Sequence, residues 1–75
     1  MGRLSPIKAR ELIRILTKLG FEEKRQQGSH KIFIHPESRL RTVVPVHGAK
    51  DIDTKLLWLI LDQIKIDIEN FNELR

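Results

Sequence analysis

Between residues 9 and 19 the apolar positions Ala9, Leu12, Ile13, Leu16 and Leu19 recur every three or four residues, which is the repeat of one face of a helix. Ser5-Pro6 ahead of them reads as a helix start, with the serine as N-cap and the proline at the first helical position. Gly20 is the expected left-handed stop, and Phe21 is placed to fold back onto the end of the helix. The period then changes. Glu22 to Gln27 is polar with weak alternation and predicts an edge strand whose Lys24 and Arg25 project to opposite faces. Gly28-Ser29 turns the chain into a second strand, His30 to His35, and Pro36-Glu37-Ser38-Arg39 turns it into a third, Leu40 to His47. That third strand is rich in β-branched residues, and its Pro45 must sit where no N–H is needed. Gly48-Ala49-Lys50 connects to a helix from Thr54 to about Ile64, capped by Asp53 or Asp51. Leu56, Leu57, Ile60, Leu61 and Ile64 make its apolar face, leaving Trp58 and Leu59 to flank Lys55 and Asp62. A short terminal helix starts at Asp67, with Phe71 and Leu74 available to pack.

The order α-β-β-β-α with a short third helix predicts an α+β fold. It describes a two-layer sandwich of a three-stranded antiparallel sheet with the helices on one face, the arrangement that double-stranded-RNA-binding domains also use. Strand alternation puts His30, Ile32 and Ile34 on one face of the second strand and Lys31, Phe33 and His35 on the other. Either set can face the helices. The reading taken is Phe33 inward, which opens His30 to a substrate and leaves the isoleucines as a partner surface. The apolar excess on the second helix calls for a covering element, a protein partner or both, with Trp58 and Leu59 as contact candidates.

Length and charge narrow the function. The 75 residues are expected to form one domain, residues 1–75, with too little interior for a pocket between lobes, so any active site should be shallow. With no cysteine, disulfides, thiolate metal sites and cysteine nucleophiles are excluded. The first residues lack the apolar core of a signal peptide and no apolar run reaches the roughly 20 residues of a membrane span, so a soluble cytoplasmic protein is expected. Residues 1 to 50 hold eleven Lys or Arg against four Asp or Glu, net +7, whereas residues 51 to 75 hold three against six, net −3. A basic front suits a polyanionic partner, and Arg10, Arg14 and Lys18 form one basic row on the first helix.

Gly28-Ser29-His30 is the main chemical candidate. A Gly-Ser corner lets backbone approach a ligand closely, and it delivers an imidazole, the side chain type that titrates near neutrality. RNA carries its own nucleophile, the 2′-hydroxyl, so an enzyme acting on it need only move protons and stabilise phosphate charge. His30 fits the proton transfer, as base or acid, and Lys24, Arg25, Lys31 and Arg41 are candidates for phosphate contact, joined by Ser29 and His47. His35 and His47 lack a carboxylate or cysteine at supporting spacing, so no metal site is expected. His35 before Pro36 reads as a strand-end surface residue, and His47 lies where the third strand meets the second helix.

The chain resembles the HicA family of toxins, the small mRNA-cleaving partners of toxin-antitoxin pairs. The matching features are Lys8-Ala9-Arg10-Glu11-Leu12, Leu19-Gly20-Phe21, Gly28-Ser29-His30, His35-Pro36, Val44-Pro45-Val46-His47-Gly48 and Glu69-Asn70-Phe71, spanning about Ser5 to Leu74. Gln26-Gln27 and Ile34 stand where relatives often carry basic residues. The resemblance implies endoribonuclease activity on mRNA without a metal or other cofactor, His30 as the single catalytic histidine, and neutralisation by a HicB-like antitoxin covering the His30 surface. A non-catalytic RNA-binding or interaction module on the same fold is the alternative.

Overall fold

The computed structural model describes residues 2–75. Its elements are β1 (Ile7–Lys8), α1 (Ala9–Lys18), β2 (Glu22–Gln27), β3 (His30–Ile34), β4 (Arg41–Pro45), β5 (Asp51–Ile52), α2 (Thr54–Ile64) and α3 (Ile68–Leu74). Strands β2, β3 and β4 form an antiparallel meander in that order, and the helices lie on one face of it, giving the expected α+β sandwich. Two short strands were not foreseen: β1 pairs antiparallel with β5, Ile7 opposite Ile52. A two-residue strand has no readable period, and this one exists because it brings Ile7 and Ile52 into the core beside α1, where both are buried.

That pairing corrects the start of the first helix. Ile7 and Lys8 are extended, Lys8 occupies the N-cap position, and no side chain caps α1. Ser5 is used elsewhere: its carbonyl and Oγ both accept from Arg75 Nη1, at 3.0 and 3.1 Å, while Arg75 Nη2 donates to the Pro6 carbonyl at 2.9 Å. Asn72 Nδ2 similarly donates to the Arg3 carbonyl. A partner about 70 residues away competes with local capping, and short-range sequence grammar contains no trace of it.

The core joins both helices to the inner face of the sheet. Ala9, Leu12, Ile15 and Leu16 of α1 and Leu57, Ile60, Leu61 and Ile64 of α2 are buried against Phe33 and Val44, with Phe21 and Phe71 closing the ends. Ile15 takes the deep position expected of Ile13, which is only partly buried. Thr42, the one buried polar residue among those described, donates from Oγ1 to Gln63 Oε1 at 2.7 Å and so ties β4 to α2. Asp53 caps α2 by accepting from Leu56 N at 2.9 Å, and Asp67 caps α3 by accepting from Asn70 N at 2.7 Å. Asp51, the other capping candidate, instead pairs with Lys8 at 3.3 Å. Three of the six acidic residues after position 50 therefore serve local structure, so the acidic tail is not one uniform surface.

Gly20 ends α1 at φ 98, and Phe21 N–H closes onto the Leu16 carbonyl at 2.9 Å. This is the left-handed helix ending in which the following apolar residue packs back, and Phe21 is buried as expected. Gly20 is also required sterically, because a Cβ there would sit 2.8 Å from His35 Nε2. Gly20→Ala should cost at least about 1 kcal/mol, lowering the melting temperature by roughly 4–8 °C or more. The loss should shrink in a His35→Ala background; equal losses in both backgrounds would remove the steric part of the explanation.

Candidate active site on the open face of the sheet

Register decides which side chains meet. In β3 and its neighbours, Ile32 is opposite Arg25 and Val43, and His30 is opposite Gln27 and Pro45. Directly opposite residues share a face, and Phe33 belongs to the core under the helices. His30, Ile32 and Ile34 therefore occupy the open face, together with Arg25, Gln27, Arg41, Val43 and Pro45. Phe33 does point inward. The isoleucines, however, are not the exposed partner surface expected of them: Ile32 is only 7% exposed and Ile34 is half-buried. Ile32 sits in the central strand, with Arg25 opposite it on one neighbouring strand and Val43 on the other.

Gly28, at φ 59, and Ser29 form the two-residue turn between Gln27 and His30. A positive φ at the first turn residue is the geometry that matches the twist of a hairpin, and it starts β3 with an exposed His30. The Ser29 carbonyl accepts from Val46 N at 2.7 Å, extending the β3–β4 contact one step beyond the Pro45 position. Pro45 lies in the pair opposite His30, and a further step of two along the chain gives His47 the same parity. The two imidazoles meet edge to face, with ring centroids 6.2 Å apart and planes inclined by 79°. Both residues are exposed, and neither ring hydrogen-bonds to another described residue.

His35 differs. Its Nδ1 accepts from Glu37 N at 3.1 Å and Ser38 N at 3.2 Å, which assigns its proton to Nε2. Its ring stands edge-on to Phe21 at 5.2 Å. It is a half-buried turn-builder rather than a free strand-end residue, and its distance from His30 follows from its place at the opposite end of β3.

The basic candidates separate by position. Arg25 shares the open face with His30, two pairs further along the ladder. Lys24 is the extra residue of a β-bulge between Glu23 and Arg25, which interrupts the simple alternation assumed for Lys24 and Arg25; its Nζ binds Glu22 Oε1 at 2.9 Å. Lys31 lies on the helix-side face, paired with Glu23 at 3.6 Å. Arg41 is on the open face but opposite Ile34, four residues from Pro45 and so about 13 Å along the strand from the His30 pair. On α1, Arg14 contacts Glu11 at 3.8 Å and the Leu74 carbonyl at 3.4 Å, leaving Arg10 and Lys18 as the exposed members of that row without such contacts among the described residues.

The connector after β4 brings one further cation near the histidines. Lys50 N donates to the His47 carbonyl at 3.0 Å, closing a turn in which Gly48 has φ 57. Lys50 and His47 together line a depression of about 210 Å³ with Pro45, Asp53 and Leu56. The Gly-Ala turn between them was the available signal for it. Among the described residues, no group of three or more His, Cys, Asp or Glu is gathered around a possible metal position, and no helix is long and apolar enough to cross a membrane.

A family model described as the HicA toxin of bacterial toxin-antitoxin matches residues 9–66, well over half of the chain and including both His30 and His47. No curated protein matches the chain.

Proposed function

The chain belongs to the HicA toxin family of toxin-antitoxin systems, and from that premise we propose that it is a cytoplasmic endoribonuclease that cleaves mRNA without a metal, with His30 moving a proton at the scissile phosphate. Family membership also implies a cognate antitoxin, and the proposed partner is a HicB-like protein that seats over the open face of the sheet and covers His30. The observation that carries the reading is His30 itself: an exposed imidazole, free of hydrogen bonds to described residues, held at a tight turn in a chain of this family.

In this mechanism the 2′-hydroxyl attacks the adjacent phosphorus. His30 assists by taking the hydroxyl proton or by protonating the departing oxygen, while cations offset charge on the phosphate as it becomes five-coordinate. Arg25, Ser29 and His47 are nearest in the fold to His30 and suit the scissile phosphate, with Lys50 beside His47 as an addition to the set. Lys24 and Arg41 suit flanking nucleotides on either side. Lys31 can reach RNA only at the margin of the sheet and after leaving Glu23.

A 2′-deoxy substitution at the cleavage position tests the chemistry. Purified protein in EDTA should cut labelled RNA, leave a 2′,3′-cyclic phosphate, and leave the 2′-deoxy oligonucleotide intact. Salt-sensitive binding of RNA with no cleavage would instead favour the non-catalytic binding module.

A further inference from the structure

We propose that His47 is a second catalytic residue, forming with His30 an acid–base pair that brackets the scissile phosphate. The inference rests on the ribonuclease reading above and deepens it.

Cleavage by the 2′-hydroxyl needs two proton transfers at two places. One removes the proton from O2′, and the other delivers a proton to O5′, on the far side of phosphorus in an in-line displacement. A single imidazole attends one side of that phosphate and leaves the other to water. Two of the three histidines in this chain converge at one end of the open face, their rings 6.2 Å apart. Each imidazole reaches a reacting oxygen over about 2.6–3.2 Å, and O2′ and O5′ are carried by one phosphorus, so two exposed rings this close can attend the same phosphate.

The surroundings argue against a purely structural His47. Its carbonyl, not its ring, holds the turn to Lys50, and Gly48 supplies the positive φ. The ring is exposed and makes no hydrogen bond to a described residue, unlike His35, whose Nδ1 is committed to two backbone amides. Pro45 lies across from His30, and Val46 N–H, donating to the Ser29 carbonyl at 2.7 Å, carries that alignment on toward His47. Lys50 lines the same depression as His47, together with the carboxylates of Asp51 and Asp53.

The step balances without an external reagent. As the O2′–P bond forms and the P–O5′ bond breaks, the 2′ proton passes to the neutral imidazole of one histidine. The imidazolium of the other gives its proton to the departing 5′ oxygen. The products are a 2′,3′-cyclic phosphate and a 5′-hydroxyl, nothing is oxidised or reduced, and the pair resets by proton exchange with water.

A leaving-group substitution tests the pair. His30→Ala, His47→Ala and His47→Gln are assayed on RNA and on the same RNA with sulfur in place of the bridging 5′ oxygen at the cleavage site. A thiolate departs without an acid. On ordinary RNA, each variant should lose about 10²- to 10⁴-fold. On the sulfur-bridged substrate one histidine position should recover to near the wild-type rate while the other stays low, which identifies the acid and the base. The His47 variants should melt like wild type, since only their backbone serves the turn. A dead His30→Ala with unchanged His47 variants would overturn the pair and leave the ribonuclease reading standing. Loss of both positions on both substrates, with no recovery, would also overturn it and make His47 a binding residue. Full activity in His30→Ala would remove the ribonuclease reading and the pair together.

Discussion

RNA cleavage by His30→Ala is expected to fall about 10²- to 10⁴-fold, the range that a positioned proton-transfer group contributes, with the melting temperature unchanged. The separation of activity from stability follows from the structure. His30 is exposed at the first position of β3, and its ring makes no hydrogen bond to another described residue. Removing the ring therefore opens no cavity and orphans no buried group. Growth arrest on expression without antitoxin should disappear in step with cleavage. The comparison that sharpens the test is His35→Ala. That ring accepts two backbone amides and packs against Phe21, so its loss should lower stability while the chemistry persists in the folded fraction. If His30→Ala retained wild-type cleavage of the same RNA, the assignment of His30 would be lost.

Phe33→Ala is expected to cost about 3–5 kcal/mol, as deletion of a buried aromatic side chain usually does. The ring is 1% exposed in the core shared by both helices, and its removal leaves a cavity that α1, α2 and the sheet would all have to close. Small domains lie toward the low end of a total stability of about 5–15 kcal/mol. A large fraction of the variant should therefore be unfolded near body temperature. Its melting temperature should drop by more than about 12 °C. Ile34→Ala, one residue later on the other face and half-buried, should cost about 1 kcal/mol or less. Thermal or urea melts followed by circular dichroism measure both. Equal losses at the two positions would contradict the assignment of faces along β3, and with it the openness of the surface that carries His30.

Periodicity made the helix faces legible because each is a local repeat. Leu57, Ile60, Leu61 and Ile64 follow 3.6-residue spacing, and the same positions are buried. Caps were equally readable where one side chain reaches three residues ahead, as Asp53 and Asp67 do. The first helix shows where such reasoning stops. Ser5-Pro6 is a proper starting signal, yet β1 pairing with β5 and the Arg75 contacts to Ser5 and Pro6 claim that segment. Strands of two residues and contacts between the chain's two ends leave no local pattern. The bulge at Lys24 is similar, since one additional residue in a polar strand does not alter composition, only register.

For the candidate site, the division falls between identity and juxtaposition. Gly28-Ser29-His30 could be singled out from residue types alone, because a permissive corner beside an imidazole is a local fact. The family resemblance, too, rests on motifs legible along the chain, and a family model covering residues 9–66 supports it. The pairing of His30 with His47 required two further conditions that no local window holds: Phe33 had to choose the helices, which it did because a large apolar ring gains most from full burial, and β4 had to align Pro45 with His30. The same two conditions sent Lys31 to the far face and Arg41 to the far end. The candidate site draws on residues sixteen or fewer positions either side of β3, but strand register, set by core packing, selected which of them stand together.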